Sequence, residues 1–432
     1  MRMARYATAA AVALAVAGFV TPTAGAAPGA KFGIHDDAWL VSGPGKLSSR
    51  LDELDRIGVD IVRFTLRWDV IAAREPRDAR DPRDRRYRWG PADAVLTGLN
   101  RRGVPAVVTL VGTPAWANDS LEANRPPLDR TAFADFAYAA ASRYPFIRHW
   151  TIWNEPNQAR WLNPASPKVY VDRLLNPAYA AIKDANPFAL VGGGVTAPRG
   201  NAGGLSPIAW IKGMADAGAR LDAYAHHPYP LQPQTETPWS GGCKYCQTVS
   251  MASLERLTNA IRRELGPKRI WLTEYGYQTN PPDQWLGISP MLQAVYTAEA
   301  SLRVWRAPYV DMLINFLYQD DAADGPTSSG WQSGFVTARG TAKPSLRAFM
   351  LPLVRVARTG ERTTVWGQVR PRIGAQPYRL QELRKGAWQW LGPSRLTAGN
   401  GSFKIQVHAA RNSRLRIWSP QDAMYGITLR VT

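Results

Sequence analysis

Two glutamates stand out in this chain of 432 residues because each comes directly after an apolar run. Glu155 lies in Trp153-Asn154-Glu155-Pro156-Asn157, and Glu274 in Trp271-Leu272-Thr273-Glu274-Tyr275-Gly276. A charged side chain at the end of a buried run is not explained by solvation. Two carboxyls facing one acetal are what glycoside hydrolysis needs. One is held protonated to donate to the leaving oxygen; the other is ionised, to attack the anomeric carbon or to activate water. The alternative is a pair of structural carboxylates, each neutralised by an arginine.

Such a pair requires elements that converge on one rim. From Lys31 onward, short runs rich in Val, Ile, Leu and aromatics alternate with segments of helical period, eight times over. The expected strands are Lys31–His35, Ile61–Trp68, Val104–Gly112, His149–Asn157, Ala189–Val195, Leu221–Pro230, Arg269–Thr279 and Tyr309–Gln319. Amphipathic segments fall between them, among them Leu47–Ile57, Thr131–Arg143, Ser166–Ala185 and Met291–Trp305, and a last helix is expected over Thr341–Val356. Eight strand–helix units in alternation predict an α/β fold, a (β/α)8 or TIM barrel. An open doubly wound sheet would carry a Gly-rich phosphate turn after its first strand, and Gly33-Ile34-His35-Asp36-Asp37 is not one. The run Gly192-Gly193-Gly194 belongs to the fifth strand, where close packing inside a barrel accounts for it. Glu155 and Glu274 then end the fourth and seventh strands, at the C-terminal rim where barrels collect their reactive groups.

Trp-Asn-Glu-Pro-Asn after a fourth strand, followed by Thr-Glu-Tyr-Gly after a seventh, resembles clan A of the glycoside hydrolases, retaining enzymes on a (β/α)8 barrel. Within the clan the chain looks like glycoside hydrolase family 39 and its bacterial relatives, over roughly residues 31 to 357. The resemblance implies that Glu155 is the general acid/base and Glu274 the nucleophile. It implies that Asn154 bonds the sugar 2-hydroxyl, that Arg63 of Val62-Arg63-Phe64 keeps Glu274 ionised, and that His227 and Tyr229 of His226-His227-Pro228-Tyr229 stand beside the nucleophile. His226 is then expected to point into packing. Where the clan often ends its eighth strand in Trp, this chain has Phe316-Leu317-Tyr318, so an aromatic floor for the sugar requires Tyr318 or Phe316 to turn inward. An α-L-arabinofuranosidase of the same clan, or a silent carbohydrate-binding protein that keeps the barrel, are the competing readings.

Pyranose faces stack on aromatic rings, and 17 Trp is a high count. Most are expected in the core. Those in expected rim loops are Trp68, Trp116, Trp161, Trp239, Trp285 and Trp331, with Trp116, Trp161 and Trp331 taken as sugar contacts beside Tyr318. No cofactor is expected. The stretch Asp320 to Trp331 looks superficially like a calcium loop, but Trp331 occupies the place of its bidentate Glu, so no metal is expected either.

Arg2 and Arg5, the apolar run Ala7–Val20 and Ala24-Gly25-Ala26 read as a secretory signal over residues 1–26, so the mature protein is expected outside the cytoplasm. In that setting Cys243 and Cys246, a C-x-x-C pair with no second pair to complete a zinc site, are expected to form a local disulfide. The barrel is expected over residues 27–357. A small antiparallel β-sandwich is expected over 358–432, where short alternating segments such as Thr363–Val369 and Arg414–Trp418 are separated by Gly, Pro and Asn. Net charge is +19, which favours anionic glycans among possible substrates. Nucleic acid is not expected, since the densest basic stretch, Arg74 to Tyr87, mixes six Arg with four acids and reads as a solvated loop. A monomer with no membrane-inserted segment completes the expectation.

Overall fold

A computed structural model describes residues 29–242, 247–322, 330–371 and 373–432. The expected signal segment and the Cys243–Cys246 pair lie outside the described residues.

Eight parallel strands form a closed barrel: β1 (Lys31–His35), β2 (Ile61–Arg67), β3 (Ala106–Val111), β4 (His149–Ile152), β5 (Leu190–Thr196), β6 (Ala223–His226), β7 (Arg269–Tyr275) and β8 (Val310–Phe316). Closure comes from β8 pairing with β1, Lys31 opposite Met312 through His35 opposite Phe316. Each strand is covered outside by helices and filled inside by side chains, so the runs are apolar on both faces rather than alternating. The filling includes Ile61, Val107, Val195, Ala223, Ala225, Trp271, Met312 and Ile314. Trp271 fits because β5 carries a glycine, Gly192, where the ring meets it. A Cβ on Gly192 would stand 2.8 Å from the Trp271 ring, and one on Gly194, at φ +85°, 2.4 Å from the Tyr224 ring. That is the packing role expected of the glycine run.

Three of the outer helices begin on Ser-Pro. Ser166, Ser206 and Ser289 each accept the backbone N–H three residues on, while the following proline takes the first helical position, where no N–H is needed. The final helix is shorter than its periodicity predicts, Pro344–Met350 instead of Thr341–Val356. Pro352 drives Leu351 out of helical conformation, to φ −132°, ψ 64°. The β-branched alternation of Leu353-Val354-Arg355-Val356 then forms a strand, β9 (Leu353–Thr359).

The remaining strands are β10 (Arg362–Gln368), β11 (Pro377–Arg384), β12 (Ala387–Trp390), β13 (Arg395–Leu396), β14 (Ser402–His408), β15 (Arg414–Ser419), β16 (Met424–Tyr425) and β17 (Leu429–Arg430). They make two antiparallel sheets, one ordered β14-β10-β9 and a six-stranded one built on β12-β11-β15-β16. The two sheets form a β-sandwich, with Tyr378 of one stacked on Phe403 of the other at 3.8 Å. The sandwich packs on the barrel through the small-residue face of helix Pro290–Trp305: Ala294, Ala298 and Leu302 meet Val354, Trp366 and Ile427. Among the described residues no helix is long and apolar enough to cross a membrane.

Candidate active site

The loops after the barrel strands enclose one cavity of about 940 Å³ at the C-terminal rim, lined by both Glu155 and Glu274. Glu274 is the sixth residue of β7 and only 8% exposed. Glu155 lies beyond the end of β4. The strand was expected to continue to Asn157, but it stops at Ile152, and Trp153 and Glu155 take φ of 69° and 41°. Left-handed backbone at two bulky residues is strained. Backbone bonds to both neighbouring strands hold it, Trp153 N to Leu110 O at 2.8 Å and Glu155 N to Val195 O at 2.9 Å. The turn aims Asn154 and Glu155 into the cavity, while Trp153 donates its ring N–H to Trp161 O.

The carboxyls of Glu155 and Glu274 meet across His227: one atom from each of the three residues lies within 4.8 Å of the other two. His227 Nδ1 is 3.0 Å from Glu155 Oε1 and 3.5 Å from Glu274 Oε2. The Glu274 carboxylate only accepts, so we assign a ring proton to Nδ1; the Thr273 hydroxyl lies 3.1 Å from Nε2. Arg63, 1% exposed on β2, donates from Nη1 to Glu274 Oε1, from Nη2 to Asn154 Oδ1 at 2.8 Å and from Nε to Thr109 Oγ1 at 2.9 Å. Because Asn154 Oδ1 is occupied, its amide N–H₂ is the end free to meet a ligand. The Tyr229 hydroxyl donates to Glu274 Oε2 at 3.1 Å.

Burial alone would raise the Glu274 pKa. The facing His227 ring, the Arg63 guanidinium and the bond from His35 outweigh it, and the carboxyl is held far below the usual range. Tyr229 goes the other way, its hydroxyl pushed well above its ordinary value by burial and by the negative charge of Glu274 and Glu155. Glu155, His227 and Glu274 also have the spacing of a metal-ligand trio. Arg63 already rests on Glu274, however, so a divalent cation there would be pressed against a fixed positive charge.

Among the aromatic residues expected at the site, Trp161 and Trp331 line the cavity, and Phe316 is the one of the Phe316/Tyr318 pair that turns inward. Trp331 lies 5.9 Å from Tyr229 and 5.7 Å from Phe316, so the three rings make one wall. Tyr318 is placed elsewhere, which corrects the expectation for it. Leu317 takes φ 71° and swings the chain off the strand axis. Tyr318 then stacks on Trp39 at 4.2 Å and donates its hydroxyl to Glu53 at 2.7 Å, outside the cavity lining. Trp116 is likewise drawn away, its ring N–H donating to Ala72 O at 2.7 Å and its edge set against Trp68. Of the other rim candidates, Trp68 is buried, Trp239 packs against Arg303 and Arg306, and Trp285 is exposed. His226 is buried, bonded to Thr196 Oγ1 and Val249 O, and its pKa falls to about 3 through burial.

One neighbour of Glu274 was not singled out from the sequence. His35, at the end of β1, bridges Asp37 (Nε2 to Oδ2, 3.3 Å) and Glu274 (Nδ1 to Oε1, 3.4 Å). Burial and Arg63 would lower its pKa, but the charge and hydrogen bond of Asp37 more than offset them and it is raised. Its signal was available: a polar residue directly after an apolar strand, the criterion that picked out both glutamates.

Fold and site together define a (β/α)8 barrel with two carboxylates facing across its rim. The chain is similar in fold to a family 39 glycoside hydrolase from the gut symbiont Bacteroides cellulosilyticus WH2, with a TM-score of 0.61 at 18% identity over 88% of this chain and 79% of that one. It is also similar to a hyperthermophilic beta-glucosidase from Pyrococcus furiosus, with a TM-score of 0.51 at 14% identity over 76% and 95% of the two chains. CelM2, a bifunctional glucanase-xylanase from a metagenome library, aligns at 0.50 and 13% over 94% and 97%. No protein-family model matches the sequence, and no curated relative matches it.

Proposed function

We propose that the protein is an exported retaining glycoside hydrolase acting on a plant or microbial cell-wall polysaccharide. The observation that carries this reading is the approach of the two carboxyls, an oxygen of each within 4.8 Å of the other's. Retaining enzymes hold their carboxyls ~5 to 5.5 Å apart, whereas inverting ones need ~6.5 to 9.5 Å to admit a water.

In the first step Glu274 attacks the anomeric carbon. The bond to the leaving oxygen breaks as that oxygen takes the proton of Glu155, leaving a glycosyl ester. Arg63 and His35 hold Oε1 of Glu274, so Oε2, steadied by Tyr229, is the attacking atom. In the second step Glu155 removes a proton from water, the water oxygen bonds the anomeric carbon, and the ester breaks to restore the Glu274 carboxylate. His227 faces both carboxyls, and its ring proton is placed to follow the charge as it shifts between them.

Arg160 and Arg199, exposed on the loops after β4 and β5, line the same cavity and are placed to meet a uronate group, with Glu122 and Asp321 elsewhere on the lining. The test is a screen of acidic and neutral cell-wall polysaccharides with product sizes read out, together with a panel of aryl glycosides that separates pyranosidase from α-L-arabinofuranosidase action. Release of sugar with retained anomeric configuration is expected. Binding of a glycan without any hydrolysis would refute the enzymatic reading and leave a carbohydrate-binding protein.

A further inference from the structure

Charge is concentrated at one end of the molecule. Between Leu353 and Thr432 the chain has fourteen Lys and Arg against three Asp and Glu, so eleven of its nineteen net positive charges fall on eighty residues. The three acids are engaged: Glu361 with His408, Glu382 with Arg384, and Asp422 with Ser419. The segment's own acids therefore offset only a small part of its basic charge.

Part of it is organised on the outer face of the six-stranded sheet. In β11 and β15, Leu380, Leu415 and Ile417 are buried in the sandwich, so Arg379, Arg416 and Trp418 point to the opposite face. Gln381 stands opposite both Arg416 and Trp390, and Trp418 opposite both Arg379 and Tyr425, which brings these residues into adjoining rows. The Arg379 guanidinium lies 3.8 Å from the centre of the Trp390 ring. Arg416 lies against two rings, 4.0 Å from Trp388 and 3.7 Å from Tyr425, and Tyr425 stacks on Trp418 at 4.3 Å. Aromatic contact covers the flat face of a guanidinium; Arg416 donates Nε to Gln381 Oε1 at 2.8 Å, and its terminal N–H groups are left for an oxyanion. Trp390 is 40% exposed, so part of its ring is open to a ligand.

We propose that this face binds an acidic polysaccharide, its rings taking pyranose faces and its stacked arginines taking the anionic groups. Single-stranded nucleic acid also stacks on aromatics, but it is held in a basic groove that tracks the backbone. Here the rings and arginines alternate across the open face of a sheet, which suits an extended saccharide ribbon. The surface lies on the sandwich, apart from the barrel cavity, and its occupancy does not depend on the chemistry proposed there.

The test uses the full chain in affinity electrophoresis through gels containing polygalacturonate, dextran sulfate or neutral dextran, at about 150 mM salt to screen long-range attraction. Retention by one or both acidic polymers and none by dextran is expected, the two acidic gels separating carboxylate from sulfate recognition. Trp388→Ala/Trp390→Ala, which leaves charge unchanged, and Arg379→Ala/Arg416→Ala should each weaken binding roughly tenfold. Arg358→Ala/Arg362→Ala, two exposed arginines of the other sheet, should weaken it by less than about threefold. Trp390→Ala alone, at the most exposed ring, should lose affinity with its unfolding midpoint unchanged, which separates binding from folding. The proposal is overturned if neither acidic gel retains the protein, if the tryptophan variants bind like the wild type, or if the control pair loses as much. Tighter binding of single-stranded RNA or of phosphatidylglycerol vesicles through the same residues would overturn it as well.

Discussion

Arg63→Lys isolates what the guanidinium does beyond carrying a charge. Lysine keeps a buried cation near Glu274, so the fold should survive, but one ammonium cannot reach Glu274 Oε1, Asn154 Oδ1 and Thr109 Oγ1 together as the planar fork does. Losing the last two contacts, each ~1.5 kcal/mol for a charged donor, should cost about 3 kcal/mol of stability. Asn154 would then be free to rotate, and a misplaced positioning group commonly costs on the order of a hundredfold in turnover. The carboxylate of Glu274 would also lose part of the field that offsets its burial, so its pKa should rise and the acidic limb of kcat/KM should move to higher pH. Thermal unfolding and a pH–rate profile on whichever glycoside the screen identifies measure both effects. A variant that melts earlier but keeps wild-type kcat and an unmoved acidic limb would show that Arg63 only braces the barrel, and the assignment of Glu274 as nucleophile would lose its electrostatic basis.

Glu274→Ala should lower turnover by at least roughly four orders of magnitude. Added azide should restore part of it, giving a glycosyl azide of inverted configuration by NMR; a rescued product with the substrate's configuration would contradict the double displacement. Glu299, whose pKa burial raises to about 7 against the opposing pull of Arg355, binds a proton more tightly in the fold than in the unfolded chain. Stability should therefore fall as pH rises from ~4.5 through 7, by at most about 3 kcal/mol, and Glu299→Gln should flatten that decline in melts at pH 5 and pH 8. Gly192→Ala places a methyl 2.8 Å from the Trp271 ring and should destabilise by ~1 to 3 kcal/mol in chemical denaturation. A neutral result would mean that Trp271 can move aside.

The barrel was legible because its signal repeats: eight apolar runs separated by helical segments, several of them opened by Ser-Pro, leave few topologies. Glu155 and Glu274 were legible because a carboxylate ending a buried run conflicts with local burial. His35 gave the same signal and passed unmarked, since no neighbouring motif drew attention to it.

What periodicity missed lies where single residues break it. Pro352 cut the last helix short, and Leu317 turned Tyr318 out of the site it was assigned to. The strand did not continue to Glu155, which depends instead on left-handed backbone at Trp153 and at Glu155 itself. The chain's residue order thus determined the barrel, the rim and the identity of the two carboxyls, through patterns that repeat locally. Only the folded structure decided which aromatics line the cavity, and which atoms Arg63, His35 and His227 meet. Those contacts join residues as distant along the chain as His35 and Glu274, and they depend on barrel closure and a few unusual φ angles that local patterning does not encode.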